Sequence, residues 1–183
     1  MPYELNESER PHAPKHPDAE PTPQGLRSAQ ALVEIHDHFR GELDEIRRVI
    51  EQVANGNRDA DSARSMINQM TMRQNFWSVG AFCASYCRIL TLHHTIEDEH
   101  VFPDLFARDA ELEPVLKQLS REHEIIAELL TRLDAALVAM VGDPASIDLV
   151  RTAVDEVGDL LLSHLAYEEG ELLEPIGRLS LQL

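Results

Sequence analysis

The chain has 183 residues, with 33 acidic side chains against 16 basic ones and a formal net charge of −17. This excess of negative charge argues against binding nucleic acid or an anionic membrane surface, because both attract Lys and Arg. The sequence shows no secretory signal and no apolar run of membrane-spanning length, and its two cysteines, Cys83 and Cys87, do not form a disulfide framework. We therefore expect a soluble, cytoplasmic protein with no nucleic-acid or membrane partner.

The first 25 residues differ in composition from the rest. Residues 1–25 contain six of the ten prolines among polar side chains, and proline both removes a backbone donor and disrupts helices. This composition predicts an extended or disordered N-terminal arm. From residue 26 to residue 183 helical periodicity replaces it, and we expect one helical domain there.

Four long helices are predicted in that domain, at about 26–54, 75–102, 112–141 and 143–175, with a short helical stretch near 61–70. Their ends are predicted from Asn55-Gly56-Asn57, Pro103, Gly142, the pair Asp143-Pro144, and Pro175. Four helices of similar length with short connections indicate an all-α fold, an antiparallel up-down four-helix bundle.

Each predicted helix places one histidine in its apolar seam, and two helices add a glutamate one turn later. These residues are His36, His93, His123 and His164, with Glu97 and Glu168. At a rise of about 1.5 Å per residue, all six lie within about one turn of the same level in an up-down bundle. Two buried carboxylates without a cation would be costly. The six residues therefore predict a metal site.

The donor set narrows the choice of metal. Six nitrogen and oxygen donors without cysteine do not match a closed structural zinc site. Imidazoles and carboxylates in the core of a helical bundle are typical of paired iron or manganese ions, and a carboxylate can bridge two ions.

Four segments carry a resemblance to the hemerythrin-like (HHE cation-binding) domain: IHDHF, HHTIED followed by FP, REHEII and SHLAYEE. The similarity covers about residues 26–177. It implies a four-helix bundle that holds two iron ions in an oxo- or hydroxo-bridged non-haem centre, which binds dioxygen or reacts with peroxide or nitric oxide. It further implies that the four seam histidines are terminal ligands and that Glu97 and Glu168 bridge the ions.

The chain departs from this pattern at one position and is ambiguous at others. Oxygen-carrying hemerythrins have a second histidine one turn after the third-helix ligand, where this chain has Ala127. The resemblance then implies a free site on one iron, which favours processing of an oxidant over reversible oxygen carriage. Glu169 is an alternative to Glu168, although helical geometry favours Glu168 unless a π-bulge intervenes. Further candidates for the site are His94, His100 and Tyr86.

The leading hypothesis is therefore a diiron protein that binds and processes a small oxidant, and a catalase-like, peroxidase-like or nitric-oxide-scavenging activity is left open. The alternatives are a sensor of oxygen, redox state or iron, a reversible oxygen-binding protein, and a structural bundle held by metal. The sequence does not identify the substrate, the protein partners, the oligomeric state or the metal present in a given preparation.

Overall fold

The computed structural model describes residues 6–54, 84–142 and 146–181, and these residues form helices and no strand. The long elements are α1 (Pro23–Ala54), α2 (Ala84–Ile96), α3 (Phe102–Arg108), α4 (Glu113–Gly142) and α5 (Ile147–Leu179). A π-helical turn, Glu97–Val101, joins α2 to α3, and a 3-10 turn, Ala110–Leu112, precedes α4. The fold is all-helical, as predicted, and consistent with a helical bundle, whereas the antiparallel order of the helices stays a prediction. Within the described residues, no helix is long and apolar enough to cross a membrane.

Two prolines predicted to end helices do not end them. The helical path continues past Pro103 to Arg108, and Pro103 lies in the first turn of α3, directly after the π-helical turn. There the hydrogen-bond register is already changing, so a residue without an N–H group costs little. Likewise α5 contains Pro175 and ends at Leu179. The left-handed backbone of Ser180, with φ of 55°, terminates it.

Other predicted features lie outside the described residues. They are the stop signal at 55–57, the short helix near 61–70, the start of the second predicted helix near 75, the Asp143-Pro144 cap, and Cys83. The chain is helical up to Ala54, the last described residue before this stretch, so the predicted end of the first helix is not tested.

The chain divides into two compact units, and each has its own interior. We call Met1–His38, His93–Ile125 and Leu161–Leu183 the histidine unit, and Phe39–Leu92 with Ile126–Leu160 the aliphatic unit. Within the histidine unit, α3, the start of α4 and the end of α5 pack through a core that includes Leu105, Leu112, Leu119, Leu172 and Ile176. The predicted seam residues that the structure describes are buried or nearly so, which confirms the helical periodicity.

The described part of the N-terminal arm, residues 6–22, lies against α5 within the histidine unit. The Tyr167 hydroxyl donates to the Pro11 carbonyl at 2.6 Å, and Glu171 accepts from the Ala13 amide at 2.7 Å. At the end of the arm the Thr22 amide donates to the carbonyl of Gly177 at 3.0 Å. The described part of the arm contains a 3-10 turn, Glu7–Glu9, and α1 begins at Pro23, inside the predicted arm of residues 1–25.

Candidate metal centre

The six residues predicted for the metal site all lie in two adjoining groups of buried donors, both within the histidine unit. One group consists of His94, His123 and His164, and the other consists of His36, His93, Glu97 and Glu168. In each group the donor atoms lie within 4.8 Å of one another. The structure thus adds His94, which the sequence left as a further candidate.

The neighbouring histidines of α2 belong to different groups. Consecutive residues on a helix point about 100° apart, so the rings of His93 and His94 diverge, with their centroids 5.5 Å apart. The Nε2 atom of His93 lies 3.3 Å from Nε2 of His36. The His94 ring instead stacks on that of His123, with a centroid distance of 4.0 Å. One stretch of α2 therefore supplies an imidazole to each group.

The two glutamates lie between the groups. Glu97 places Oε1 3.1 Å from Nε2 of His93 and Oε2 3.6 Å from Nε2 of His123. Glu168 places Oε2 3.4 Å from Nε2 of His36 and 3.8 Å from Nε2 of His164. Each carboxylate thus approaches one imidazole of each group.

Three further carboxylates contact the outer nitrogens of the histidines. Nδ1 of His36 is 2.9 Å from Glu169, Nδ1 of His123 is 3.0 Å from Asp98, and Nδ1 of His164 is 3.1 Å from Glu122. An ionised carboxylate only accepts hydrogen bonds, so these contacts place the proton on Nδ1 and leave Nε2 as a bare donor atom. All three rings are oriented for metal binding in this way.

Hydrogen bonds keep two of these outer carboxylates ionised. Burial acts to raise the pKa of Asp98, but hydrogen bonds from His123 and Ser120 outweigh it and lower that pKa. Burial likewise opposes ionisation of Glu122, and hydrogen bonds from His164, Arg10 and Gln118 outweigh it, so that the pKa of Glu122 is also lowered.

The atoms that face the centre lack hydrogen-bond partners within the described residues. They are Nε2 of His94, His123 and His164, both carboxylate oxygens of Glu97, and Oε2 of Glu168. Buried polar atoms are nearly always satisfied, because an unmet donor or acceptor carries its full desolvation cost. Six such atoms at one place fit bound cations, since a cation would satisfy all of them at once.

The pKa values of the buried histidines and glutamates, in the absence of metal, also fit a site for cations. Burial, with the neighbouring imidazoles, lowers the pKa of His93 to about 3. Burial lowers the pKa of His164 to about 4, although its hydrogen bond to Glu122 acts in the opposite direction. Burial raises the pKa of Glu168 to about 8, and burial together with the charge of Glu168 raises the pKa of Glu97 well above its usual value. Neutral imidazoles are ready to bind metal, and a cation would return the carboxyls to their ionised form.

The other candidates from the sequence, His100 and Tyr86, belong to neither donor group. His100 is exposed. Tyr86 is buried in the aliphatic unit, where its ring packs edge-on against that of Phe39. Ala127 is exposed. Glu168, not Glu169, is the member of the donor group, and α5 is α-helical around it.

Sequence reasoning missed Asp98, Glu122 and the π-helical turn, and it considered Glu169 only as an alternative ligand. Asp98 and Glu169 each follow a recognised glutamate directly, and Glu122 directly precedes His123, so adjacency to a candidate ligand was the available signal. The π-helical turn lies after His93 and His94, not in the fourth predicted helix where an irregularity was considered.

Together the helices and the buried histidine–carboxylate groups define a class, an all-helical protein with donors arranged for metal ions. The family model of the hemerythrin HHE cation binding domain matches residues 27–176, and the chain belongs to this family. Membership implies metal binding, typically of iron. Neither a curated protein nor a solved structure matches the chain.

Proposed function

We propose that this chain is a non-haem diiron protein that binds and processes a small oxidant: peroxide, dioxygen or nitric oxide. The observation that carries this proposal is the pair of donor groups with Glu97 and Glu168 between them. One ion would be held by three imidazoles, and the second by two imidazoles together with the shared carboxylates. When bound, the irons supply the redox chemistry that these side chains lack.

In this proposal His94 takes the place of the missing third-helix histidine. The sequence associated Ala127 with a free site on one iron, but His94 supplies a third imidazole to the group of His123 and His164. The open position then belongs to the other ion, beside His36 and His93, because that group has only two imidazoles.

Burial supports this assignment of the open position. His36 and Glu168 are at most 1% exposed and Glu97 is 3% exposed, whereas the His93 side chain is 10% exposed. A small oxidant would therefore approach along His93, while the rest of the centre excludes bulk water. Exclusion of water strengthens each electrostatic interaction in the site and limits side reactions of the oxidant.

The first test of the proposal combines iron content, visible spectrum and turnover of peroxide or nitric oxide. We expect about two irons per chain, as the two donor groups require, and consumption of many oxidant molecules per protein. Reversible dioxygen binding without turnover would favour a carrier, and a change of shape between redox states without turnover would favour a sensor. Less than one iron per chain would contradict the proposal.

A second test concerns His94. His94→Ala removes one of the three imidazoles in its group, so we expect the chain to retain one tightly bound iron and to release the other readily. The matched control is His100→Ala, which removes an exposed histidine from the adjoining π-helical turn and leaves both ions in place. Retention of two tightly bound irons by His94→Ala would remove His94 from the ligand set.

A further inference from the structure

Arg10 of the N-terminal arm is buried in the histidine unit. Its side chain is 7% exposed and faces Glu122 of α4, which is fully buried. Nε of Arg10 donates to Oε1 of Glu122 at 2.8 Å, and Nη2 donates to Oε2 at 3.0 Å. This is a bidentate ion pair, in which a planar guanidinium fixes both the position and the plane of a carboxylate.

Glu122 also contacts one of the histidines that face the centre. Its Oε2 accepts from Nδ1 of His164 at 3.1 Å, and its Oε1 accepts from Gln118 at 2.8 Å. The nitrogen on the other side of the His164 ring is one of the buried atoms without a hydrogen-bond partner. Hydrogen bonds therefore connect Arg10 of the arm, through Glu122, to His164, which is a candidate metal ligand.

Arg10 is itself held in place by α5. Nη1 donates to Oγ of Ser163 at 2.8 Å, and the guanidinium lies over the Tyr167 ring, 4.8 Å from its centroid. The residue after Arg10 accepts a hydrogen bond from the same tyrosine through its backbone carbonyl. The arm thus delivers the guanidinium in one orientation.

We propose that Arg10 is a positioning residue of the metal centre, which fixes Glu122 so that the His164 ring presents Nε2 to the group of His94 and His123. The docked arm is then part of the centre, although it contributes no donor atom to it. The identity of the ion rests on the function proposed above, whereas the effect of Arg10 on the His164 ring does not.

The comparison with Asp98 indicates what the guanidinium adds. Asp98 performs the same task for His123, but Asp98 accepts from the hydroxyl of Ser120, which carries no charge. Glu122 is more deeply buried than Asp98, and Arg10 contacts both of its carboxylate oxygens. Without Arg10, this bidentate pair would no longer fix the plane of the Glu122 carboxylate, and its hold on His164 would weaken.

The experiment compares Arg10→Gln and Arg10→Lys with two matched controls. Arg132→Gln removes a guanidinium that pairs with Glu156 in the aliphatic unit, and Glu171→Ala removes the carboxylate that holds the arm at His12 and Ala13 without touching Glu122. The first control tests for a general effect of losing an arginine. The second tests for a general effect of loosening the arm.

The first readout is the release of Fe(II) to a coloured chelator under argon. Changes to the partners of metal-binding histidines typically cost about 10–100-fold in metal affinity, and we expect an increase of that order in the release rate of one of two irons from Arg10→Gln. Arg10→Lys, which keeps the charge but not the fork, should be intermediate, and both controls should match the unaltered chain. Equal release from Arg10→Gln and the unaltered chain, or faster release from Glu171→Ala as well, would overturn the proposal.

The second readout needs no metal. Nitrogen NMR of the His164 ring in the metal-free protein, assigned by loss of the signal in His164→Gln, should show the proton on Nδ1 in the unaltered chain. In Arg10→Gln we expect a mixture of the two tautomers, and an unchanged spectrum would overturn the proposal. Less than one iron in the unaltered chain would instead contradict the proposed function, and the ring spectrum would still decide the role of Arg10.

Discussion

The histidine unit and the aliphatic unit both have an apolar core, but the histidine unit also buries a cluster of imidazoles and carboxylates. In the aliphatic unit the buried positions are filled almost entirely by apolar side chains, among them Phe39, Leu43, Ile46, Leu133 and Val154. In the histidine unit the same kind of seam carries imidazoles and carboxylates where its periodicity would place leucine. The same helical periodicity thus builds an apolar core where the inward residues are aliphatic or aromatic, and a donor site where they are His and Glu.

The two units also differ in how deeply their charged side chains are buried. The ion pairs of the aliphatic unit, such as Arg132 with Glu156 at 2.8 Å and Arg151 with Glu51 at 2.9 Å, are partly or fully exposed and add little to stability. In the histidine unit, by contrast, Glu97, Glu122 and Glu168 are buried and must be compensated inside the protein. Burial of apolar surface stabilises both units, and we expect the buried donor groups of the histidine unit to depend in addition on the ions proposed above.

The largest effect expected from this contrast is that of Glu97→Ala. Glu97 approaches an imidazole of each donor group, so its loss should weaken the binding of both ions. The loss of affinity should exceed the roughly 10–100-fold that is typical for changes outside the ligand set. Iron content after gel filtration against a chelator measures it.

Glu99→Ala is the matched control, because Glu99 lies on the same π-helical turn and is exposed. It should retain both ions. If Glu97→Ala also retained both, the position of Glu97 between the groups would have no role in holding metal, and the proposed centre would be wrong.

A substitution in the core of the aliphatic unit should lower the stability of the protein and leave its iron content unchanged. Leu133 is 1% exposed, and Leu133→Ala should lower the free energy of unfolding by about 2–5 kcal/mol through lost burial and the cavity it leaves. Iron content of the folded protein should not change. Denaturant unfolding, with and without metal, measures both quantities.

Val138→Ala provides the comparison for that substitution, because Val138 is 44% exposed. Its effect on the free energy of unfolding should stay within about 0.5 kcal/mol. A loss of iron from folded Leu133→Ala would show that the two units are not energetically separate in the way their interiors suggest.

The inward histidines could be predicted from the sequence because helical periodicity is a local property. A repeat of three and four residues fixes which side chains share a face, and His36, His123 and His164 each replace an apolar residue in such a repeat. His94 could not be decided in this way. It lies about 100° around the helix axis from His93, at the edge of the apolar seam. Whether that edge faces the site depends on the positions of α4 and α5.

The role of Arg10 was beyond the reach of the sequence for a different reason. Its partner Glu122 is 112 residues away, and the arm has no periodicity from which a buried position could be read. Proline-rich composition predicted only that the backbone of the arm is extended or disordered. It contained no information on which of its side chains would be buried against a helix.

A further expected effect is a pH dependence that separates the metal-free protein from the loaded one. In the metal-free fold the pKa of Glu168 is about 8, against 4.5 for an ordinary glutamate, and that of Glu97 is also raised. The folded state therefore holds protons that the unfolded chain releases, and stability falls as the pH rises from about 4.5 towards 8.

The histidines give the opposite slope at lower pH. The pKa of His164 is about 4 and that of His93 about 3 in the fold, against 6.5 for an ordinary histidine. The unfolded chain therefore binds protons that the fold does not, and stability falls as the pH drops from 6.5 towards 4. The two slopes together place the maximum stability of the metal-free protein between about pH 4.5 and 6.5.

Bound cations remove the alkaline part of this dependence, because they stabilise the ionised carboxylates directly. Thermal midpoints of the metal-free protein should fall between pH 6.5 and 8, while those of the loaded protein should not. Glu168→Gln, which has no proton to lose, should flatten the curve of the metal-free protein. A midpoint of the metal-free protein that rose over this range would mean that the buried carboxyls are already ionised and compensated without metal. The contrast between the two units would then no longer rest on the ions.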